Sequence, residues 1–320
     1  MWILPGNKFA AIALTNASSR LSDSIELGEG VSVHPVLPFR LTEDWDDELG
    51  TSCAEEIRDA DLVFLATRPS DHPEIHDAEN AELREVVGRL FRSIALIGVP
   101  HFAKATALLG ANRNGSIEVR ELTPLDPYRH DVNDPRGPLM MEEEHFRLAE
   151  QIAGALALVA TDPEPAFQFK NGLRAFFKGL RDTAGEDRLL QFVRAVDGLL
   201  LADIGQGKRL FQHRCQTFCG SSEQIREVLG EIYALRSKAA HARGLEDLYP
   251  ELDPAAREHQ ALHRLRQAEA LARHAYREIL RSPELLEHFR TTEGINAFWC
   301  LDDGERARIW KNKIDLLATP

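Results

Sequence analysis

The sequence predicts an α+β protein: an N-terminal mixed α/β domain over residues 1–140, followed by an all-α helical bundle over residues 141–320. Three observations carry this expectation. Short apolar, strand-like runs are confined to the first 122 residues. From Met140 onward, apolar residues recur almost without interruption at helical spacing. The formal charge of −13 is also unevenly divided. Residues 151–320 carry 24 Lys+Arg against 24 Asp+Glu, so the whole excess lies in the first half. Such asymmetry, in a chain of 320 residues, favours two domains with different roles.

In the first half, Phe9–Thr15 and Val31–Leu37 have the composition of short strands. Ala60–Thr67 contains Leu62-Val63-Phe64-Leu65, a continuous apolar run that reads as a strand buried on both faces. Over Ala78–Ile97, Leu83, Val86, Val87, Leu90 and Phe91 recur at helical spacing with charges between them. Ser116–Leu122 alternates as a strand, and the prolines of Thr123–Pro138 predict a loop or linker. Acidic residues gather between Glu43 and Glu85, a pattern that usually marks a solvated face.

The second half reads as helices over Glu142–Thr161, Asn171–Asp182, Asp187–Asp203, Lys208–Cys219, Ser222–Arg243 and Pro254–Arg281. Shorter helices follow at Glu284–Phe289 and Arg306–Leu317. Ser221 with Gln224 forms a candidate capping box, and Gly244 a candidate C-cap. Facing apolar stripes joined by short connections predict a bundle.

Several classes are excluded. No apolar run approaches the ~20 residues of a membrane helix, and Phe9–Leu14 is too short for a secretory h-region. Four cysteines do not make a disulfide framework, which fits a reducing compartment; cytoplasm is the expected location. His213-x-Cys215-x3-Cys219 lacks zinc-site spacing and reads as buried thiols. Asp71–Asp77 offers H-x3-H without the metalloprotease pattern. Gly205-Gln206-Gly207-Lys208 lacks the remaining phosphate-loop residues. Tyr128-Arg129-His130-Asp131 lies in the proline-rich linker and carries no assignable role. Phe176–Phe177, Trp299 and Trp310 are expected in packing.

One segment points to chemistry. Along Ser222–Arg243, Ile225, Val228, Ile232, Leu235 and Ala239 form a stripe, and Arg236 projects only tens of degrees from its centre. An arginine so close to a buried face must be paired or must line a cleft. His241 follows in Arg236-Ser237-Lys238-Ala239-Ala240-His241. A bare R-x4-H pair is expected about once by chance in such a chain, so its weight comes from context.

That context, Ile232-Tyr233-Ala234-Leu235-Arg236-Ser237-Lys238-Ala239-Ala240-His241, resembles the signature helix of HEPN domains, in particular the Apea-like branch. Arg188–Leu200 resembles the family's first core helix, with Asp197 as its acidic residue. Phe211–Gly220 resembles its short Arg-bearing helix, with Arg214. The likeness covers about residues 165–318 and does not reach the first 140. It departs slightly after His241, where Ala-Arg precedes the glycine.

The resemblance implies a helical bundle that dimerises and acts as a metal-independent endoribonuclease, needing no cofactor, often as a toxin or antiphage effector. Other members are catalytically silent modules that dimerise and bind nucleotide, RNA or protein. The residue types suit RNA cleavage. A histidine can accept the 2′-hydroxyl proton or protonate the leaving 5′-oxygen. A guanidinium stabilises the charge gathering on the phosphoryl oxygens. The expected products carry 2′,3′-cyclic phosphate and 5′-hydroxyl ends. Arg236 and His241 are the expected catalytic pair, Ser237, Lys238 and Arg243 the substrate-binding residues, and Asp197 and Arg214 their support. On a regular helix a five-residue step turns the side chain by about 140°. Either the helix loosens near Gly244, or two copies pool their pairs across a two-fold axis. The acidic N-terminal domain is expected to sense a trigger, bind a regulatory partner or restrain the nuclease.

Overall fold

The computed structural model describes residues 2–28, 30–41, 44–128, 137–162, 166–201, 207–241, 244 and 249–319. Arg243, Gly205, Gln206 and Arg129–Asp131 lie outside the described residues. The layout is α+β, with an antiparallel sheet in the first half and helices in the second. The chain divides into two compact units, one from residues 2–128 and 137–154 and the other from 155–319.

The first unit contains β1 (Asn7–Thr15), β2 (Ile25–Glu26), β3 (Val31–His34), α1 (Asp44–Leu49), α2 (Thr51–Arg58), β4 (Leu62–Pro69), α3 (Ala78–Ile97), β5 (Lys104–Arg113) and β6 (Ser116–Leu125). The strands form one six-stranded sheet in the order β2-β3-β4-β1-β5-β6, with neighbouring strands antiparallel. β1 and β4 are apolar throughout, rather than alternating, because both faces of the sheet are covered. Phe9, Ala11, Ala13, Val63 and Leu65 pack with Trp45 and Ile57 from α1 and α2 on one face. Phe64 points the other way, 5.9 Å from the ring of Phe91 on α3. Burial on two faces of an antiparallel sheet thus produces the continuous pattern usual in parallel ones.

β5 is absent from the sequence-based expectation, although its turn is written plainly. Asn114 and Gly115 both adopt positive φ, 51° and 94°, between β5 and β6. Asn-Gly with both residues left-handed is the two-residue turn whose twist suits a hairpin. β6 continues through Thr123 and Pro124 to Leu125, so the expected linker begins later than its prolines imply. Proline is admissible there because β6 is an edge strand. The acidic run is extensively paired within this unit: Asp46 with Arg58, Glu56 with Lys104, Glu82 with Arg68 and Glu85 with Arg92. Lys8 is fully buried, and its ammonium lies 2.8 Å from both Asp77 and Glu79 at the start of α3. Burial pulls its pKa down, but the two carboxylates outweigh that and raise it.

α4 (Glu143–Thr161) contains the boundary between the units. The second unit continues with α5 (Phe167–Gly179), α6 (Gly185–Leu200), α7 (Gly207–Cys219), α8 (Glu223–Ala240), α9 (Pro254–Arg281), α10 (Pro283–Phe289), α11 (Thr292–Cys300) and α12 (Asp303–Ile309). α5 begins four residues before its expected start, since burial of Phe169 draws the preceding turn into the helix. α11 is unforeseen. α12 ends at Ile309 rather than Leu317. The remaining tail is held in non-helical form by α9: Gln267 donates to the Leu316 carbonyl at 2.8 Å, and His274 to that of Asn312 at 3.1 Å. Carbonyls engaged by another helix's side chains need no partners within their own segment.

The core of this unit is strongly aromatic. Tyr276 on α9 is fully buried, packs on Phe169 and Phe176, and donates its hydroxyl to the Ala195 carbonyl at 2.9 Å. Phe176 and Phe177 are buried as expected, and so are Trp299 and Trp310. Among the described residues, no helix is long and apolar enough to cross a membrane.

Candidate functional site at α6, α7 and α8

α8 is built as its sequence dictates. Ile225, Val228, Leu229, Ile232 and Leu235 are buried along one face. The N-cap is Ser222 rather than Ser221, with its hydroxyl accepting from the Ile225 N–H at 3.1 Å. Two adjacent serines are equal as caps by propensity. Gly220, at φ 86°, turns the chain after α7 and leaves Ser222 extended at the helix entrance. The other end also differs from expectation: α8 stops at Ala240, and His241, not Gly244, occupies the C-cap. The His241 N–H donates to the Lys238 carbonyl at 2.9 Å, a tightened last turn.

Arg236 lies beside the buried stripe with its side chain 31% exposed. Its guanidinium reaches α6, where Nη2 is 3.9 Å from Asp197 Oδ2. It also lies over the ring of Tyr233, 5.4 Å from the centroid, one turn back on α8. The 3.9 Å separation is an ion pair without a hydrogen bond. Nε is buried and has no hydrogen-bond partner among the described residues. The guanidinium is therefore oriented by a ring and a carboxylate, yet its donors are not consumed.

Asp197 is half-buried, and its carboxyl is pushed up to about 6. Burial is the main cause; Arg236, and then Arg194, pull the value back down. Nearby on α7, Cys215 is a buried free thiol. Its pKa is raised well above the ordinary range by burial, with Cys219 and Asp197 adding to it. Cys219 is pushed up to about 12, again chiefly by burial. These two are core thiols on one helix face, as their spacing predicts.

The raised carboxyl has a stability consequence. The folded state holds the Asp197 proton more tightly than the unfolded chain, so this group favours folding below about pH 4, and that contribution is lost as pH rises through about 6. Asp197→Asn removes the titration. The variant is expected to gain about 2 kcal/mol relative to the wild type between pH 4 and pH 7. Urea midpoints measured across that range test this, and a difference that stays constant with pH contradicts it.

Arg214 supports the site from below. It donates to the carbonyls of Leu200 and Leu201, the latter at 3.2 Å, and lies 5.0 Å from the Trp299 ring centroid. Leu201 is left-handed, with φ 47°, so α6 ends there with carbonyls in need of donors. Arg214 thus fixes the end of the helix that carries Asp197.

The structure brings Arg236, Asp197 and Tyr233 together. It does not bring His241 to them. The imidazole is exposed and makes no hydrogen bond, ion pair or ring contact among the described residues. On a regular helix a five-residue step corresponds to about 140°, and His241 sits at the cap just past the last helical residue. Ser237 and Lys238 are half-buried on the intervening turn, and Arg243 lies outside the described residues. Tyr233, whose ring faces the guanidinium, is a site residue that the sequence signals only as the aromatic position three before Arg236. Among the described residues no cluster of His, Cys, Asp and Glu has metal-binding geometry. Compared with known proteins, the chain matches no family model, no curated protein and no solved structure.

Proposed function

We propose that the second unit is a metal-independent endoribonuclease of HEPN type, Apea-like, acting in the cytoplasm as a toxin or antiphage effector. The observation that carries this reading is the condition of Arg236. It is a half-buried guanidinium placed beside Tyr233 and Asp197 that makes no hydrogen bond among the described residues, and it stands five residues from an exposed histidine whose ring has no partner among the described residues. Such a group can bind a phosphoryl oxygen pair without first breaking a strong ion pair.

The angle between Arg236 and His241 favours a composite cleft in which two copies of the chain face each other across a two-fold axis. One His241 takes the 2′-hydroxyl proton as the 2′-oxygen bonds to phosphorus. The other protonates the 5′-oxygen as the P–O5′ bond breaks. Both Arg236 side chains neutralise the phosphorane-like transition state. Ser237, Lys238 and Arg243 contact the flanking backbone.

A silent dimerising module that binds nucleotide, RNA or protein is the second reading, favoured by the Arg236–Asp197 contact as a structural pair. Incubation of the protein with mixed RNAs in EDTA separates the two: cleavage supports the enzyme, and persistent absence of cleavage supports the module. The first unit is proposed to bind the trigger or regulatory partner.

A further inference from the structure

A separate cavity of about 140 Å³ opens in the second unit between the C-terminal half of α7 and α12. None of Arg236, Ser237, Lys238 or His241 lines it. Its walls gather three side chains able to carry positive charge, His213, Arg306 and Lys313, against one carboxylate, Asp303. They also supply the hydroxyls of Thr217 and Ser221.

The charges are unequal in kind. Arg306 is buried and fully committed. It donates to the Trp299 and Leu301 carbonyls and pairs with Asp303, whose side chain is 81% exposed. Its charge is largely offset by Asp303, so the exposed Lys313 is the cation in the lining without an ion-pair partner among the described residues. The hydroxyls of Thr217 and Ser221 likewise make no hydrogen bond among the described residues. Ser221 directly precedes the N-cap of α8, an 18-residue helix, so that wall is near a helix end with partial positive charge. Lys313, Thr217 and Ser221, which have no side-chain partner among the described residues, line one small concavity, a setting suited to a compact anion.

The concavity is small, and a tetrahedral phosphate is a compact anion on that scale. We propose that this cavity binds a phosphate, as the inorganic ion or as the terminal phosphate of an oligonucleotide. The proposal stands independently of the nuclease reading, because the two sites share no residue.

The test titrates the full chain with inorganic phosphate at constant ionic strength. It then titrates the Arg236→Ala variant, which prevents cleavage, with a short oligoribonucleotide bearing either a 5′-phosphate or a 5′-hydroxyl. Saturable phosphate binding, weakened about tenfold by Lys313→Ala, is expected, the loss due to one charge-assisted hydrogen bond. Ser221→Ala should weaken it less, and both variants should keep the wild-type thermal transition. Preference for the phosphorylated oligonucleotide identifies a nucleic-acid end as the source; equal binding of the two identifies the free ion. No saturable binding of phosphate in either form, or binding indifferent to Lys313→Ala and Ser221→Ala, overturns the proposal whatever the outcome for RNA cleavage.

Discussion

For the proposed ribonuclease dimer, replacement of Arg236 or His241 by alanine is expected to lower RNA cleavage in EDTA by about 10²- to 10⁴-fold each without loss of self-association. The two losses have different origins. Without Arg236 the negative charge on the phosphoryl oxygens has no fixed counter-charge. Without His241 the proton transfers lose their carrier. Arg236→Lys should recover little, since an ammonium cannot form the planar, two-pronged contact. Arg236→Ala also removes the strongest pull on the Asp197 carboxyl, so that group should take up a proton at still higher pH than about 6. Gel assays on mixed RNAs with sedimentation of the same samples make the measurement. Cleavage that survives either substitution removes the pair from the mechanism.

Gly198→Val is expected to destabilise the second unit by about 3 kcal/mol and to reduce cleavage with it. α5 and α6 cross where Gly172 meets Gly198. A Cβ at Gly198 would lie 2.6 Å from the Gln168 carbonyl oxygen and 2.9 Å from the Gly172 Cα. One at Gly172 would lie 2.1 Å from the Tyr276 hydroxyl and 2.8 Å from the Ala195 carbonyl oxygen. Three of these four obstacles are backbone atoms that cannot swing aside. A glycine inside a helix costs about 1 kcal/mol relative to alanine, and the close approach of the two helices is the physical reason for accepting that cost. Because Gly198 adjoins Asp197, forcing α6 outward also moves the carboxylate that orients Arg236. Denaturation midpoints and cleavage rates should therefore fall together, whereas the exposed Arg194→Ala should leave the midpoint nearly unchanged. An unaltered midpoint for Gly198→Val contradicts this account of the crossing.

Much of the architecture is legible from local pattern. The helix over Ala78–Ile97 matches its expected limits, and so does Pro254–Arg281, where Asp253 caps and Pro254 opens the first turn. These segments carry a full apolar period and a stop signal within their own residues. Asp197 opposite Arg236 is likewise consistent with the position of Arg236 beside a buried stripe, which demands a partner. β5 is harder to read, because Lys104–Arg113 has three alanines and a glycine among its ten residues and its strand character comes from pairing with β1 and β6.

Local pattern alone joins a sheet-bearing first half to a helical second half and places Arg236 on the helix that His241 follows. Periodicity, caps and charge placement are short-range properties, complete within a dozen residues. Long-range packing sets the rest: Ser222 caps α8, the helix gives way at His241, residues 310–319 run along α9 without forming a helix, and His213, Ser221, Arg306 and Lys313 line one concavity. Each of those outcomes depends on carbonyls, carboxylates and volumes contributed by segments distant along the chain, and no local pattern encodes which of them will meet.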